Sequence, residues 1–146
     1  MSEALLWSEP VRPEWVDYNG HLSEAYYVLV FGHATDAVMD RIGLDAAHRA
    51  AHRSSLYTVE AHVRYLAEVP PESGLEVRSE VIGRTGKLLR LWHEMRVDGR
   101  LCATEEILAV HVVDGAAAPF PDAVAARTAT LLGSPGPDAG RAIRIG

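Results

Sequence analysis

Between residues 22 and 42 the apolar positions Leu22, Tyr26, Leu29, Val30, Ala34, Ala37, Val38 and Ile42 recur at helical spacing, and Gly43 supplies a stop. Ser23 or Asn19 is placed to cap the start. Ala25, Val28, Phe31 and Gly32 widen the apolar face well beyond a stripe, which predicts a helix enclosed by a sheet. Further along, the period changes to two. Tyr57, Val59, Ala61, Val63 and Tyr65 alternate with polar residues, and Leu75, Val77 and Val81 repeat the pattern. Residues 87–97 and 101–113 carry apolar side chains on both faces, as central strands or strands at an interface between subunits do. Thr85-Gly86 and Asp98-Gly99 fit the short turns between them.

Residues 5–11 read as a first strand, 46–53 as a short surface turn and 121–132 as a second helix. Residues 133–140 read as a loose linker, and 141–145 as a segment lying against a sheet edge. The expectation is one α+β domain over residues 1–146: a strand, a long helix and a meander of four antiparallel strands. Its core spans about residues 5–114, with a C-terminal helix and tail over 115–146.

Composition narrows the function classes. A chain of 146 residues, 48% hydrophobic and 23% charged, suits one compact enzyme-sized domain. Its 14 Lys and Arg against 20 Asp and Glu leave a net charge of -6, which argues against a nucleic-acid binder. Cys102 is the only cysteine and reads as a buried thiol in a reducing, cytoplasmic compartment. No apolar run is long enough to span a membrane, and the N-terminal residues lack a secretory pattern.

The chemistry is concentrated just before the helix. Trp15-Val-Asp17-Tyr-Asn19-Gly20-His21-Leu22-Ser23 sets a carboxylate beside the positive end of a helix, where backbone N–H groups lack partners. Such donors stabilise an oxyanion that develops on an attacked carbonyl. Asp17 is therefore the candidate reactive group, and the N–H groups around Gly20 to Ser23 are the candidate oxyanion site. The bland alternative is a helix-entry carboxylate that meets only the dipole. Asn19 and Gly20 read equally well as a turn dipeptide, and His21 as a residue of the first helical turn.

The run Val16-Asp17-Tyr18-Asn19-Gly20-His21-Leu22-Ser23-Glu24-Ala25-Tyr26-Tyr27 resembles the start of the central helix in hot dog-fold thioesterases related to 4-hydroxybenzoyl-CoA thioesterase. Its D-x-N-x-H order is also similar to that of acyl-ACP thioesterases. Tyr57 to Leu66, and then Pro70-Pro-Glu-Ser-Gly74-Leu, resemble the strand and turn that follow in the same group, and within it the subgroup that includes betainyl-CoA thioesterases.

The resemblance implies an antiparallel sheet wrapped around one long helix. It implies hydrolysis of a small or medium acyl-CoA, with coenzyme A entering only as part of the substrate and no separate cofactor. A homodimer or dimer of dimers would form the site. Asp17 would attack the thioester or activate water, with Asn19 and His21 orienting water, substrate or Asp17 itself.

Glu60 matches a carboxylate that the acyl-ACP enzymes use, although strand parity turns it away from the core with His62 and Arg64. Gly20, Leu22, Ser23, Tyr26 and Tyr27 are candidates for substrate contact, and Trp7 and Trp15 for the acyl pocket. Arg84, Lys87 and Arg90 are candidates for the coenzyme A phosphates. His48 and His52 have the i, i+4 spacing of a metal pair, but no further ligand set accompanies them, and no metal is expected. An acyl-CoA hydratase and a non-catalytic acyl-CoA binding module are the alternatives.

Overall fold

The computed structural model describes residues 4–145. The long helix, α1, spans Glu24–Ile42 and buries Tyr27, Val30, Phe31, Ala34, Val38, Met39 and Ile42, the single face that the spacing requires. It ends at Gly43, whose φ of 94° and N–H bonds to the Asp40 and Met39 carbonyls form a left-handed cap. Leu22, read from the sequence as the first helical residue, instead lies buried in the preceding loop, because its N–H is committed to the Val69 carbonyl at 2.9 Å.

The sheet comprises β1 (Leu5–Pro10), β2 (Ser54–Tyr65), β3 (Gly74–Arg84), β4 (Leu88–Val97), β5 (Arg100–Val113) and the short β6 (Ala116–Ala117). It is antiparallel and curls over one side of α1 in the order β1-β3-β4-β5-β2, with β6 added to β5. The hot dog architecture is thus present, with a correction to its connectivity. Only β3, β4 and β5 form a meander; β2 pairs with β5 at the far edge. The connection from β2 to β3 must therefore pass the N-terminal end of α1. It is pinned there by the Leu22 N–H on Val69 and the Val11 N–H on the Ser73 carbonyl at 2.8 Å.

A second correction concerns phase. The β2–β5 register shifts between Thr58 and Glu60, so Val59 is a bulge and the strand changes faces there. Before the bulge, Leu56 is the core residue and Tyr57 points outward, 51% exposed. After it, Ala61 and Val63 fall on the helix side, and Glu60, His62 and Arg64 on the outer side, as parity predicts.

The core forms two clusters along the helix. Tyr27, Val30, Phe31 and Ala34 pack with Leu75, Val77 and Met95; Val38, Met39 and Ile42 pack with Val81, Leu89 and Leu91. Cys102 is buried, as expected.

The short α2 (Ala46–His52) is capped by Asp45, whose carboxylate accepts the His48 N–H at 2.9 Å. The predicted second helix is shorter than expected, α3 (Asp122–Thr128) and then a 3-10 turn at Ala129–Leu131. The tail beyond it is not a loose linker. The Gly133 N–H bonds the Val81 carbonyl at 2.7 Å, Asp138 pairs with Arg64 at 3.1 Å, and the Gly140 N–H bonds Glu106 at 2.7 Å, so the tail crosses the outer face. Ile143 and Ile145 are exposed rather than packed on a sheet edge. No described helix is long and apolar enough to cross a membrane.

Candidate active site

The loop before α1 is a closed hairpin-like turn. Val16 and Leu22 bridge as an antiparallel pair, the Asp17 N–H donates to the His21 carbonyl at 3.1 Å, and the Gly20 N–H donates to the Asp17 carbonyl at 2.9 Å. Gly20 holds φ at 77°, the left-handed value that glycine adopts without strain. Inside the turn, the Asn19 N–H donates to Asp17 Oδ1 at 2.8 Å. The half-buried Asp17 carboxylate is thereby fixed through one oxygen, leaving the other available. Tyr18, at the tip, is 97% exposed.

Asp17, Asn19, His21 and Leu22 line an open concavity of ≈ 310 Å³ together with Tyr27 and Glu68. Tyr27 and Glu68 also line the adjoining hollow, with Tyr65, Leu66 and Ala67. The two form one trough past the first turn of α1. Burial pushes the Tyr27 phenol up, and burial followed by the Glu24 and Glu105 charges does the same to Tyr65. Both tyrosines therefore present neutral rings, and they meet edge to face at 5.0 Å.

Two expectations change. The N–H groups of Gly20, Leu22 and Ser23 are already used, by Asp17, Val69 and Trp15 respectively. Among the described residues, the N–H groups of His21, Glu24 and Ala25 are donors without a partner at this end, and Ser23 caps α1 by backbone geometry without a side-chain bond. His21 does not hold Asp17; its Nε2 lies 3.2 Å from Glu68 Oε2.

The other candidates are dispersed. Tyr26 stacks on the buried Trp15 at 5.6 Å, and Trp7 donates to Glu9 on β1 at 2.8 Å, so neither tryptophan lines the trough. Glu60 lies on the outer face in a groove of ≈ 480 Å³ with His62, Arg90 and Glu106. That groove is larger than the Asp17 concavity, yet its chemistry is internally neutralised. Arg90 forks onto Glu106, and although burial pushes the Glu106 carboxyl up, Arg90 and the Gly140 N–H outweigh it and hold the group down.

Arg84 and Lys87 are exposed at the β3–β4 turn, beside the C-terminal half of α1. The structure therefore does not bring Arg84, Lys87 or Arg90 to Asp17 within one chain. The His48 and His52 rings lie 4.3 Å apart, and the described residues contain no group of three or more His, Cys, Asp or Glu able to hold a metal. Glu68 escaped the sequence reading, since only the crossing of the β2–β3 connection places it beside His21.

Comparison with known proteins adds to this geometry. Residues 11–128 match the model of the thioesterase-like superfamily. A betainyl-CoA thioesterase of Pseudomonas aeruginosa is 45% identical over 136 residues, covering 90% of this chain and 86% of the relative. An L-carnitine dehydrogenase/betainyl-CoA thioesterase of Agrobacterium fabrum is 50% identical over 103 residues, which are 70% of this chain and 21% of that longer protein. Among solved structures, a protein of Staphylococcus aureus in complex with CoA superposes with a TM-score of 0.90 at 21% identity, covering 100% of this chain and 98% of that one.

Proposed function

We propose that this chain, which belongs to the thioesterase-like superfamily, carries its acyl-CoA thioesterase chemistry on Asp17. The observation that carries the assignment is the fixed carboxylate in the trough at the start of α1. A thioester carbonyl laid against the N–H groups of His21, Glu24 and Ala25 would have its oxyanion stabilised as the carbonyl carbon becomes tetrahedral. The available oxygen of Asp17 either adds to that carbon, giving an anhydride that water then opens, or takes a proton from water as the hydroxide adds. In both routes the C–S bond breaks, coenzyme A leaves as the thiol and the acid is released. Asn19 positions Asp17 through its N–H, and His21 with Glu68 borders the entrance.

The proposed substrate is betainyl-CoA, supported by the Pseudomonas aeruginosa relative that aligns over most of both chains. Residues 1–146 would act as one hot dog unit in the cytoplasm. A second copy would complete the site in a homodimer or dimer of dimers. Edge strand β2, with Tyr57 and Val59 exposed, and the exposed Val28 and Leu29 of α1 support such an interface. Coenzyme A phosphates could then meet Arg84, Lys87 or Arg90 of a neighbouring subunit.

Thiol release from a panel of acyl-CoAs that includes betainyl-CoA tests the assignment. Asp17→Ala should lower kcat by about 100- to 10,000-fold. Equal rates in the variant and the wild type would remove Asp17 from the chemistry. A single turnover in ¹⁸O-water separates the routes, since only the anhydride route can leave label in the Asp17 carboxylate.

A further inference from the structure

A polar row crosses the helix-facing side of the sheet. Ser79 on β3, His93 on β4 and Glu105 on β5 stand opposite one another in register, and Val63 on β2 continues the row. Their exposures are 1%, 0% and 4%. Ser79 and His93 are satisfied. The Thr35 hydroxyl donates to the Phe31 carbonyl at 3.0 Å, so its oxygen is the acceptor for His93 Nε2–H at 2.9 Å, and the Ser79 hydroxyl donates to Nδ1 at 2.6 Å. Burial lowers His93 to about 3, so the ring is neutral and both nitrogens are occupied.

Glu105 receives nothing from this network. Its carboxylate has no hydrogen-bond or ion-pair partner among the described residues and keeps only a sliver of solvent contact, and burial is the one influence that moves its pKa, raising it to about 7. Buried carboxylates are ordinarily paired, because an unpaired charge in an apolar surrounding is costly. The nearest functional surface is aromatic. Tyr65 lies on the same face of β2, diagonal to Glu105, and its ring meets Tyr27, which lines the Asp17 concavity. Asp17, Tyr27 and Tyr65 line the trough in turn, and the Glu105 carboxylate lies behind the Tyr65 ring on the helix-facing side of the sheet.

We infer that Glu105 is the specificity-determining counter-charge for a cationic acyl group, a quaternary ammonium whose methyl groups rest on Tyr27 and Tyr65. This rests on the thioesterase reading above and names what selects its substrate. A quaternary ammonium fits the surroundings better than a primary one. It carries no N–H that needs acceptors, it is weakly hydrated, and aromatic faces attract it. The apolar lining that makes an unpaired Glu105 costly strengthens its attraction to a matching cation.

The test compares betainyl-CoA with 3,3-dimethylbutanoyl-CoA, in which carbon replaces the quaternary nitrogen at nearly the same shape. Wild type should prefer the cationic thioester in kcat/KM. Glu105→Gln should lower that value by at least about 30-fold for the cationic substrate while leaving the neutral one within about twofold. Glu105→Asp should restore part of the preference. A preference unchanged in Glu105→Gln, or an equal loss on both substrates, overturns the assignment.

Calorimetric binding of the non-hydrolysable thioether analogues of the two substrates keeps this result separate from the thioesterase reading. If wild type releases thiol from neither substrate, that reading fails, and the analogue pair still decides on Glu105. Tighter binding of the cationic analogue that Glu105→Gln abolishes supports the inference; equal binding of both analogues by wild type overturns it.

Discussion

Glu105 should make the protein less stable as pH rises through neutrality, and Glu105→Gln should abolish that dependence. Burial raises the Glu105 pKa from 4.5 to about 7. Below the lower value both the folded and unfolded states hold the proton, and the residue costs nothing. Between the two values the unfolded chain releases the proton while the folded chain keeps it, so raising the pH favours unfolding. Above the folded value the full penalty applies, about 3 kcal/mol from the shift at 1.36 kcal/mol per unit.

The titratable neighbours do not reverse the sign. His93 is neutral across this range, and the Tyr65 phenol is raised further from it. Urea denaturation of wild type and Glu105→Gln, at equal protein concentration and at pH 5 and pH 8, isolates the effect from the other carboxylates. The variant should gain about 2.5 kcal/mol on wild type between the two conditions. Parallel stability curves would mean that Glu105 is solvated or paired in solution, and the reasoning from its burial would fail.

Gly20→Ala adds a Cβ that meets no atom within 4 Å, so its cost is the left-handed backbone alone, about 1–2 kcal/mol in urea unfolding. Because that turn fixes Asp17, kcat should fall as well; an unchanged kcat would show that the turn does not position the carboxylate. Glu68→Gln breaks an exposed pair with His21 and should change stability by less than about 1 kcal/mol, a larger loss pointing to a structural role. Phe31→Ala removes a fully buried ring stacked on His93 at 5.7 Å and should cost about 3–5 kcal/mol in the same assay, with a smaller loss indicating collapse of the site.

The elements most legible in the sequence were those whose signal is local. The buried face of α1 repeats every three or four residues, and Gly43 ends it for a steric reason. The Asp17 turn could be read because the bonds that shape it, Asp17 to His21, Asn19 and Gly20 to Asp17 and Ser23 to Trp15, all close between residues 15 and 23, whereas Leu22 reaches out to Val69. The far-edge position of β2 was hidden, since pairing with β5 rather than β3 is decided by contacts distant in sequence. Val59 carries no composition signal for a bulge, so the outward turn of Tyr57 was hidden with it. Glu68 reaches His21 only through that same long-range pairing. Glu105 left a faint trace: in Thr104-Glu105-Glu106 the odd position shares a face with the apolar Ala103, Ile107 and Ala109, so one carboxylate had to face the helix.

The two carboxylates then have opposite requirements that the fold meets in different ways. Asp17, in the role proposed for it, needs a fixed and accessible carboxylate, and it sits on a half-buried turn where the Asn19 N–H holds one of its oxygens. Glu105 lies in the core with no compensating donor, so its charge is disfavoured until a cation comes close. A cationic acyl group therefore gains both its own attraction to Glu105 and relief of a cost that the empty protein carries. A neutral acyl group of equal shape leaves that cost in place or must leave Glu105 protonated. Discrimination then arises as much from the relief that only the cationic ligand supplies as from its direct contacts. Binding of the cationic analogue should accordingly release a proton near neutral pH and strengthen as pH rises through about 7. Calorimetry in two buffers of different ionisation enthalpy measures that proton directly, and a cationic analogue that binds with no proton release below neutral pH would contradict the linkage.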